Sequence, residues 1–295
     1  SFAEFPGPFW SRISPIPLVL QCRKAQRSKW VLRQHEKYGH IVRIAPNHIS
    51  IDVPEAIDTI YGHKTGFTKG PFYEDKAHVS SPVLFNTRNV QIHQRKRKYI
   101  NPAFSARNLQ DFVEYMNPSI SRIVQVMRNH ASNLEPLRFL QTANFLAFDV
   151  IGQYAFCSAF GFLKIGRDDL NLIHTVDTRG EVLNTLGNLP TWIRPYIKYL
   201  RFDPFWLFDG IRSTANLESI GRAAFERRGE ETNCRKDLMS FLLNAKDPET
   251  GGPLSTTEIV AEVISFIVGG SDTTSSTMTN FMDFISRDQT LQDSI

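Results

Sequence analysis

One pattern near the C-terminal end constrains the fold of this chain more than any other. It begins at Ser255-Thr256-Thr257-Glu258, a sequence typical of the capping box that opens a helix. Apolar residues then recur at every fourth position, as in the row Ile259, Val263 and Ile267, and the pattern continues to about Ser286. We therefore predict a single helix of roughly 30 residues, about 45 Å long at a rise of 1.5 Å per residue.

The middle of this helix holds a segment that works against helix formation. It reads Gly269-Gly270-Ser271-Asp272-Thr273-Thr274, so two glycines, an acid and several hydroxyls interrupt the apolar pattern. Paired glycines leave room for a flat cofactor or a diatomic ligand beside the backbone. The hydroxyls can bond to the carbonyl one turn back and open the helix to water, and Asp272 can pass protons to a bound group. The alternative is a solvent-facing stretch with a glycine kink, and these six residues alone favour neither interpretation.

Composition argues against several other classes of protein. With 41% hydrophobic residues, the 295-residue chain can bury a sizeable core, and no linker, repeat or low-complexity run divides it. The formal net charge of +4 is too small to indicate nucleic-acid binding. Neither CxxC, HExxH nor a glycine-rich phosphate-binding motif is present, so no disulfide framework, metal site or nucleotide cradle is predicted. The sequence has no run of 18 apolar residues, the usual sign of a membrane span.

The rest of the chain predicts a mainly α fold with a small N-terminal β-sheet, as one domain. Residues 1–17 are rich in proline and are expected to form an extended leader. Residues 41–44 and 49–51 flank a Pro46-Asn47 turn and predict a β-hairpin, whereas residues 62–90 look irregular. Further helices are predicted at 24–38, 91–101, 106–131, 139–157, 168–186, 209–228 and 236–245.

A second candidate site lies in the basic run from His93 to Lys98. His93 and Arg97 are four residues apart, so they share one face of the predicted helix. The planar fork of an arginine binds carboxylates bidentately, and a histidine one turn earlier can add a second donor to the same anion. The alternative is an exposed basic helix without a ligand, which an isolated run of this kind favours.

Four segments in the same order together resemble the cytochrome P450 family. Lys37–Pro46 resembles the start of its sheet, and His93-x-x-x-Arg97 followed by Pro102-Ala103-Phe104-Ser105 resembles its helix C. Asp247–Ser255 is similar to the turn before its helix I, and Gly269–Thr274 matches the oxygen-activation motif A/G-G-x-D/E-T-T of that helix. The resemblance covers essentially the whole chain and is to filamentous-fungal members of the benzoate-hydroxylase and secondary-metabolism type.

This resemblance implies a cytochrome P450 fold and a monooxygenase with haem b. Such an enzyme inserts one atom of O₂ into an apolar organic substrate, with electrons that come from NADPH through a reductase. By the resemblance, Thr273 hydrogen-bonds to the activated oxygen and Asp272 relays protons through ordered water. His93 and Arg97 then neutralise a haem propionate, and Gly269 together with Gly270 leaves room for O₂.

The chain also departs from the family pattern. His93 stands where helix C usually has tryptophan, and neither the later ExxR pair nor the haem-cysteine loop is present, so the axial cysteine is expected beyond Ile295. Cys22, Cys157 and Cys234 lack the glycine two residues later, and Cys157 is interpreted as a small buried apolar residue. We therefore expect a leader at 1–17 after a missing membrane anchor, and at 18–295 a partial cytochrome P450 domain truncated after helix I.

The resemblance also implies a partner protein, a cellular location and the walls of a substrate pocket. The reductase is expected on a basic surface that includes Arg95, Lys96 and Lys98, and the protein on the cytosolic face of the endoplasmic reticulum membrane. Aromatic residues are expected to form the walls of a pocket, with ordinary core packing as the alternative: Phe67, Phe72, Phe85 and those of 187–208. Contact of the 187–208 segment with the membrane surface is a further expectation. The rival interpretations are a truncated, non-catalytic remnant without haem and an unrelated α-helical binding protein.

Overall fold

A computed structural model describes residues 2–63, 65–74, 81–199, 204–230 and 236–294. Its α-helices are α1 (Phe9–Ile13), α2 (Ile16–Arg23), α3 (Arg27–Tyr38), α4 (Ala56–Tyr61), α5 (Val90–Ile100), α6 (Ala106–Ser132), α7 (Phe139–Phe156), α8 (Phe162–Ile165), α9 (Leu172–Leu186), α10 (Pro204–Glu230), α11 (Leu238–Asn244), α12 (Thr256–Ser286) and α13 (Gln289–Asp293). Short 3-10 helices lie at Phe2–Glu4, Pro71–Glu74, Asn101–Phe104 and Arg194–Tyr199. The mainly α fold with one small sheet is therefore confirmed.

The chain forms two compact units, a division that the sequence did not predict. The first unit takes in the described parts of Ser1–His78, Asn86–Val90 and Asp177–Thr214. The second takes in those of Val79–Phe85, Gln91–Val176 and Ala215–Ile295. Both predicted site segments, on α5 and α12, belong to the second unit, apart from Val90 at the start of α5.

The prediction of an extended leader over residues 1–17 is wrong. Residues Phe9–Ile13 and Ile16–Arg23 are helical, and the prolines that suggested an extended chain lie at the start of these helices. Pro15 is the N-cap of α2 and Pro17 lies in its first turn, where a fixed φ and a missing N–H cost nothing. The helices pack on the sheet, since Leu18 is fully buried in a cluster with Val42 of β1.

The predicted β-hairpin is confirmed. Strand β1 (Ile41–Ala45) pairs antiparallel with β2 (His48–Ile51), and among the described residues these two strands make up the sheet. The backbone N–H of Arg43 donates to Pro6 O at 2.8 Å, so the N-terminal segment runs along β1. Gly7 permits this approach, because a Cβ atom there would lie 2.3 Å from Arg43 O.

Helix α12 is the centre of the second unit. Its N-terminal half is buried on most faces, including Ile259, Val263 and Ile267, which share one core cluster with Phe148 of α7. Helix α10 also packs closely on it, since a Cβ atom on Gly221 would lie 2.8 Å from Ile264 Cγ1. The long helix predicted from 255 to 286 is therefore confirmed.

Candidate active site

Helix α12 runs without interruption through the glycine and hydroxyl segment. Ser255 caps it by accepting a hydrogen bond from the Glu258 N–H at 3.2 Å. The hydroxyls bond one turn back, as predicted: Ser271 donates to Ile267 O at 2.8 Å and Thr273 to Gly269 O at 2.7 Å. These bonds are made within a continuous helix, so the expected opening of the helix is not seen.

The segment has two faces with different environments. Ser271 and Ser275 are fully buried on the side that packs into the core. Gly269, Asp272 and Thr273 are exposed, and Asp272 and Thr273 lie three and four residues after Gly269, so both are its neighbours in one exposed stripe. The two predicted catalytic residues therefore lie on the same open face of α12 as Gly269.

The two glycines have different surroundings. A Cβ atom on Gly270 would lie 2.9 Å from Ile151 Cδ1, so this glycine is required for the close packing of α7 against α12. Among the described residues, no atom apart from the neighbouring backbone of α12 would lie within 4 Å of a Cβ atom on Gly269. Open space for a cofactor therefore lies beside Gly269, and the role of Gly270 in leaving room for O₂ stays a prediction.

The predicted anion-binding pair lies on α5. His93 is half-buried and Arg97 is exposed. Arg97 makes no hydrogen bond or ion pair with any residue that the structure describes, so its guanidinium can bind an added anion. The spacing of the pair along a confirmed helix keeps both side chains on one face.

Two of the three remaining cations of the basic run, Arg95 and Lys96, are not available at the surface, which corrects the predicted docking surface. The side chain of Lys96 is 3% exposed and that of Arg95 is 16% exposed. Arg95 binds Asp247 bidentately, with Nε and Nη2 each 2.9 Å from a carboxylate oxygen, and donates to Glu258 at 3.0 Å. Of Arg95, Lys96 and Lys98, only Lys98 keeps the exposed charge expected of a reductase contact.

Lys96 completes a buried ionic cluster that sequence reasoning missed. Its Nζ lies 2.7 Å from Glu258, 3.0 Å from Glu262 and 3.3 Å from the Tyr99 hydroxyl, so all of its N–H bonds have acceptors. Tyr99 in turn donates to Glu258 at 2.8 Å. One signal could have found the cluster, since Glu262 lies between Ala261 and Val263 in the buried stretch of α12.

The carboxylates of this cluster, Asp247, Glu258 and Glu262, titrate differently. Burial raises the pKa of Glu258, but hydrogen bonds from Arg95, Lys96 and Tyr99 outweigh it and lower the pKa to about 2. The hydrogen bonds from Arg95 hold the pKa of Asp247 well below its ordinary value. Burial raises the pKa of Glu262 above its ordinary value, even though Lys96 and a backbone N–H oppose the shift.

The aromatic residues that were expected to wall a pocket are divided between the units. Phe67 and Phe72 belong to the first unit and Phe85 to the second. The ring of Phe72 fills the space in front of Gly187, where a Cβ atom would lie 2.6 Å from it. Trp192 and Tyr196 are largely exposed, and residues 200–203 of the predicted aromatic segment lie outside the described residues. Contact of these rings with a substrate stays a prediction.

Neither of the two cysteines that the structure describes, Cys22 and Cys157, is an exposed free thiol. Cys22 is buried in the cluster around β1, and burial raises the pKa of its thiol. Cys157 is half-buried and disulfide-bonded, so its interpretation as a buried apolar residue is wrong. Cys234 lies outside the described residues.

Two negative findings concern the described part of the chain alone. None of its helices combines the length and the apolar character that a membrane crossing requires. No group of His, Cys, Asp and Glu in it is arranged to hold a metal ion. A groove of about 980 Å³ lies in the first unit between α3, α4 and β2, and its lining includes none of the predicted site residues.

The described residues fit one side of a haem. A flat macrocycle needs open space against the backbone, which Gly269 provides, and cations for its propionates, which Arg97 provides. Exposed Asp272 and Thr273 supply a carboxylate and a hydroxyl on the stripe that starts at Gly269. The ionic cluster joins α5 to α12, so the helices that carry these groups are fixed to each other.

Comparisons with known proteins show the family of the chain. The family model for cytochrome P450 matches residues 6–295. Benzoate 4-monooxygenase bphA of Aspergillus niger is 36% identical over 93% of this chain and 57% of its own length. Cytochrome P450 monooxygenase BOT4 of Botryotinia fuckeliana is 30% identical over 97% of this chain and 54% of its own length, and asR2 of Sarocladium schorii is 29% identical over 97% and 58%. The chain thus spans somewhat more than half the length of these relatives, and it belongs to the cytochrome P450 family.

Proposed function

We propose that the protein containing this chain is a haem-dependent monooxygenase that oxidises an apolar organic substrate in fungal secondary metabolism. The observation that carries the proposal is the open stripe of Gly269, Asp272 and Thr273 on α12, in a chain of this family. The names of the relatives support the reaction class, since each is called a monooxygenase. When bound, the haem supplies the chemistry that splits O₂.

His93 and Arg97 hold the cofactor in this proposal. Arg97 donates to a propionate through its planar guanidinium, and His93 supplies a second donor one turn earlier on the same face. Because Arg97 makes no ion pair with the described residues, binding a propionate breaks no existing salt bridge. These two residues therefore orient the ring without taking part in the chemistry.

In this proposal, Asp272 transfers protons and Thr273 forms a hydrogen bond near the reacting oxygen, both on the exposed face of α12. The Thr273 hydroxyl donates to Gly269 O at 2.7 Å, and its oxygen can still accept a hydrogen bond on the exposed side of the helix. Asp272 is exposed beside it, and an ionised carboxylate takes protons from water and passes them on. Thr273 then holds a proton near the reacting oxygen, and Asp272 replaces each proton that is consumed with another taken from water.

Electrons come from NADPH through a reductase in this proposal. The docking surface is built from exposed cations such as Lys98 rather than from Arg95 and Lys96, which are engaged in the cluster. Association with the cytosolic face of the endoplasmic reticulum membrane is supported by exposed apolar side chains at the N-terminus, namely Phe9, Trp10, Ile13, Ile16 and Leu20.

One spectrum separates this proposal from the non-catalytic remnant without haem. A full-length protein that contains this chain is expressed with a haem supply, reduced and exposed to carbon monoxide. A thiolate-type Soret band is expected. A folded protein that takes up no haem would favour the remnant.

A further inference from the structure

Glu262 is the most unusual member of the ionic cluster. Its side chain is 1% exposed, and it lies among apolar neighbours on the buried part of α12. A buried carboxylate costs stability unless it is fully paired, and an apolar residue would pack there without that cost. Glu262 does not belong to the exposed stripe of α12, because Gly269, where the stripe begins, lies seven residues further along the helix, about 10 Å away.

The charges of the cluster do not balance around Glu262. Two cations, Arg95 and Lys96, face three carboxylates, Asp247, Glu258 and Glu262. Arg95 serves Asp247 and Glu258, and Lys96 is nearer to Glu258, at 2.7 Å, than to Glu262, at 3.0 Å. Among the described residues, Lys96 is the one cation of Glu262 and is shared with Glu258, so further donors must complete the hydrogen bonding of Glu262.

A backbone N–H supplies that donor. The amide of Leu84 lies 3.0 Å from one oxygen of Glu262 and 3.1 Å from the other, so both oxygens of the carboxylate share one N–H. Val83, just before it, is 3% exposed and belongs to the same core cluster as α12. The segment Ser81–Phe85 is thus fastened at two successive residues, and Phe85, the next residue, is 59% exposed.

We propose that Glu262 is a positioning residue that fixes the segment Ser81–Phe85 on α12 and thereby sets the place of the Phe85 ring at the substrate side of the haem. This inference rests on the proposed function, because it takes the exposed stripe of α12 as the site. The ion pair with Lys96 favours the charged form of Glu262 against the effect of burial, and a charged carboxylate holds the Leu84 N–H more strongly than a neutral acceptor does. An exposed aromatic ring such as that of Phe85 suits an apolar ligand.

Hydrogen exchange at the Leu84 amide tests the first step without any haem. In a full-length protein, Glu262→Gln is expected to speed exchange at Leu84 by at least about tenfold, since a charge-assisted bond becomes a neutral one. Glu258→Gln is the matched control, because it disturbs Arg95, Lys96 and Tyr99 from the same helix without touching Leu84. Unchanged exchange in Glu262→Gln, or equal acceleration in both variants, overturns the proposal.

A double-mutant cycle tests the second step. The probe is 4-phenylimidazole, whose imidazole binds haem iron and whose phenyl ring reports an aromatic contact through its spectral titration. Phe85→Ala and Glu262→Gln are each expected to weaken binding, and the double variant is expected to be no weaker than Phe85→Ala alone, because both act through one ring. Multiplied effects overturn the proposal.

A replacement variant covers the case in which Glu262→Gln does not fold, and the exchange measurement covers the case in which no haem binds. If Glu262→Gln does not fold, Glu262→Asp replaces it, since the shorter side chain keeps the charge for Lys96 but withdraws from Leu84, and the same outcomes apply. If the protein binds no haem, the proposed function fails. Exchange at Leu84 then still decides whether Glu262 fastens the segment.

Discussion

Gly270 of α12 lies so close to Ile151 of α7 that a Cβ atom at residue 270 would be 2.9 Å from Ile151 Cδ1 and 3.1 Å from its Cγ1. We expect Gly270→Ala to destabilise the protein by up to about 2 kcal/mol, because overpacking costs about 1–3 kcal/mol and the gain in helix propensity offsets about 1 kcal/mol of that cost. Ile151→Val removes the nearest atom and should recover part of the loss. Thermal or denaturant unfolding of the single and double variants measures both effects.

Gly269→Ala is the matched variant and should behave differently. In the part of the chain that the structure describes, no atom beyond the adjoining helix backbone lies within 4 Å of the added methyl group, so we expect a gain of up to about 1 kcal/mol in the free energy of unfolding. In the haem-loaded protein the same methyl group occupies the space proposed for the cofactor, and haem content should fall. Equal losses of stability in the two glycine variants would contradict the difference in their surroundings.

The sequence predicted those parts of the fold that depend on local periodicity and turn residues. The hairpin of β1 and β2 follows from short apolar runs around Pro46-Asn47, and α12 follows from its capping box and apolar rows. The N-terminal helices were missed because proline is unfavourable inside a helix but suits its first turn. Whether Pro17 breaks or begins a helix depends on where that helix starts, and the structure places the N-cap at Pro15.

The candidate site was predictable where its residues are close in sequence. The stripe on α12 and the pair on α5 follow from helical spacing alone. The ionic cluster was not predictable in this way, because Arg95 and Asp247 are 152 residues apart, and Lys96 and Glu262 are 166 apart. The basic run therefore looked like a docking surface, although tertiary contacts bury two of its cations.

The pH dependence of stability should depend on Glu258. Its pKa is lowered from an ordinary value of 4.5 to about 2 in the folded protein, so its contribution is fully present above pH 4.5 and is lost as the pH falls towards 2. We expect Glu258→Gln to lower the free energy of unfolding by roughly 1.5–3 kcal/mol at neutral pH, the usual contribution of hydrogen bonds to a charged group. Denaturant unfolding of both proteins should show this difference shrinking between pH 4.5 and 2, and a constant difference would contradict the assignment.

Arg97 should control the retention of haem. In a full-length protein, we expect Arg97→Ala to lose roughly 1.5–3 kcal/mol of haem affinity, because a propionate loses a charge-assisted partner. Lys98→Ala is the control, since it removes an exposed cation from a different face of α5. Haem transfer to apomyoglobin measures the loss, and an equal effect of both substitutions would indicate general basicity instead of a specific contact.

Asp272 should control the rate at which NADPH is consumed. An amide at this position cannot relay a proton as a carboxylate does, so we expect Asp272→Asn to slow NADPH oxidation about tenfold or more in the reductase-coupled, full-length protein. Ser276→Ala, about one turn further along the exposed face, should leave the rate unchanged. A normal rate in Asp272→Asn would remove this residue from the proton path.

The oxygen-activation role of Thr273 is the central claim, and the coupling of NADPH oxidation to product tests it most directly. The measurement compares the hydroxylated product and hydrogen peroxide formed per NADPH in the full-length enzyme and in Thr273→Ala. We predict that Thr273→Ala still consumes NADPH but releases most of the reduced oxygen as peroxide, because the hydroxyl that holds a proton near the reacting oxygen is gone. Tightly coupled hydroxylation in Thr273→Ala would contradict the account and leave the segment Gly269–Thr274 a packing feature of α12.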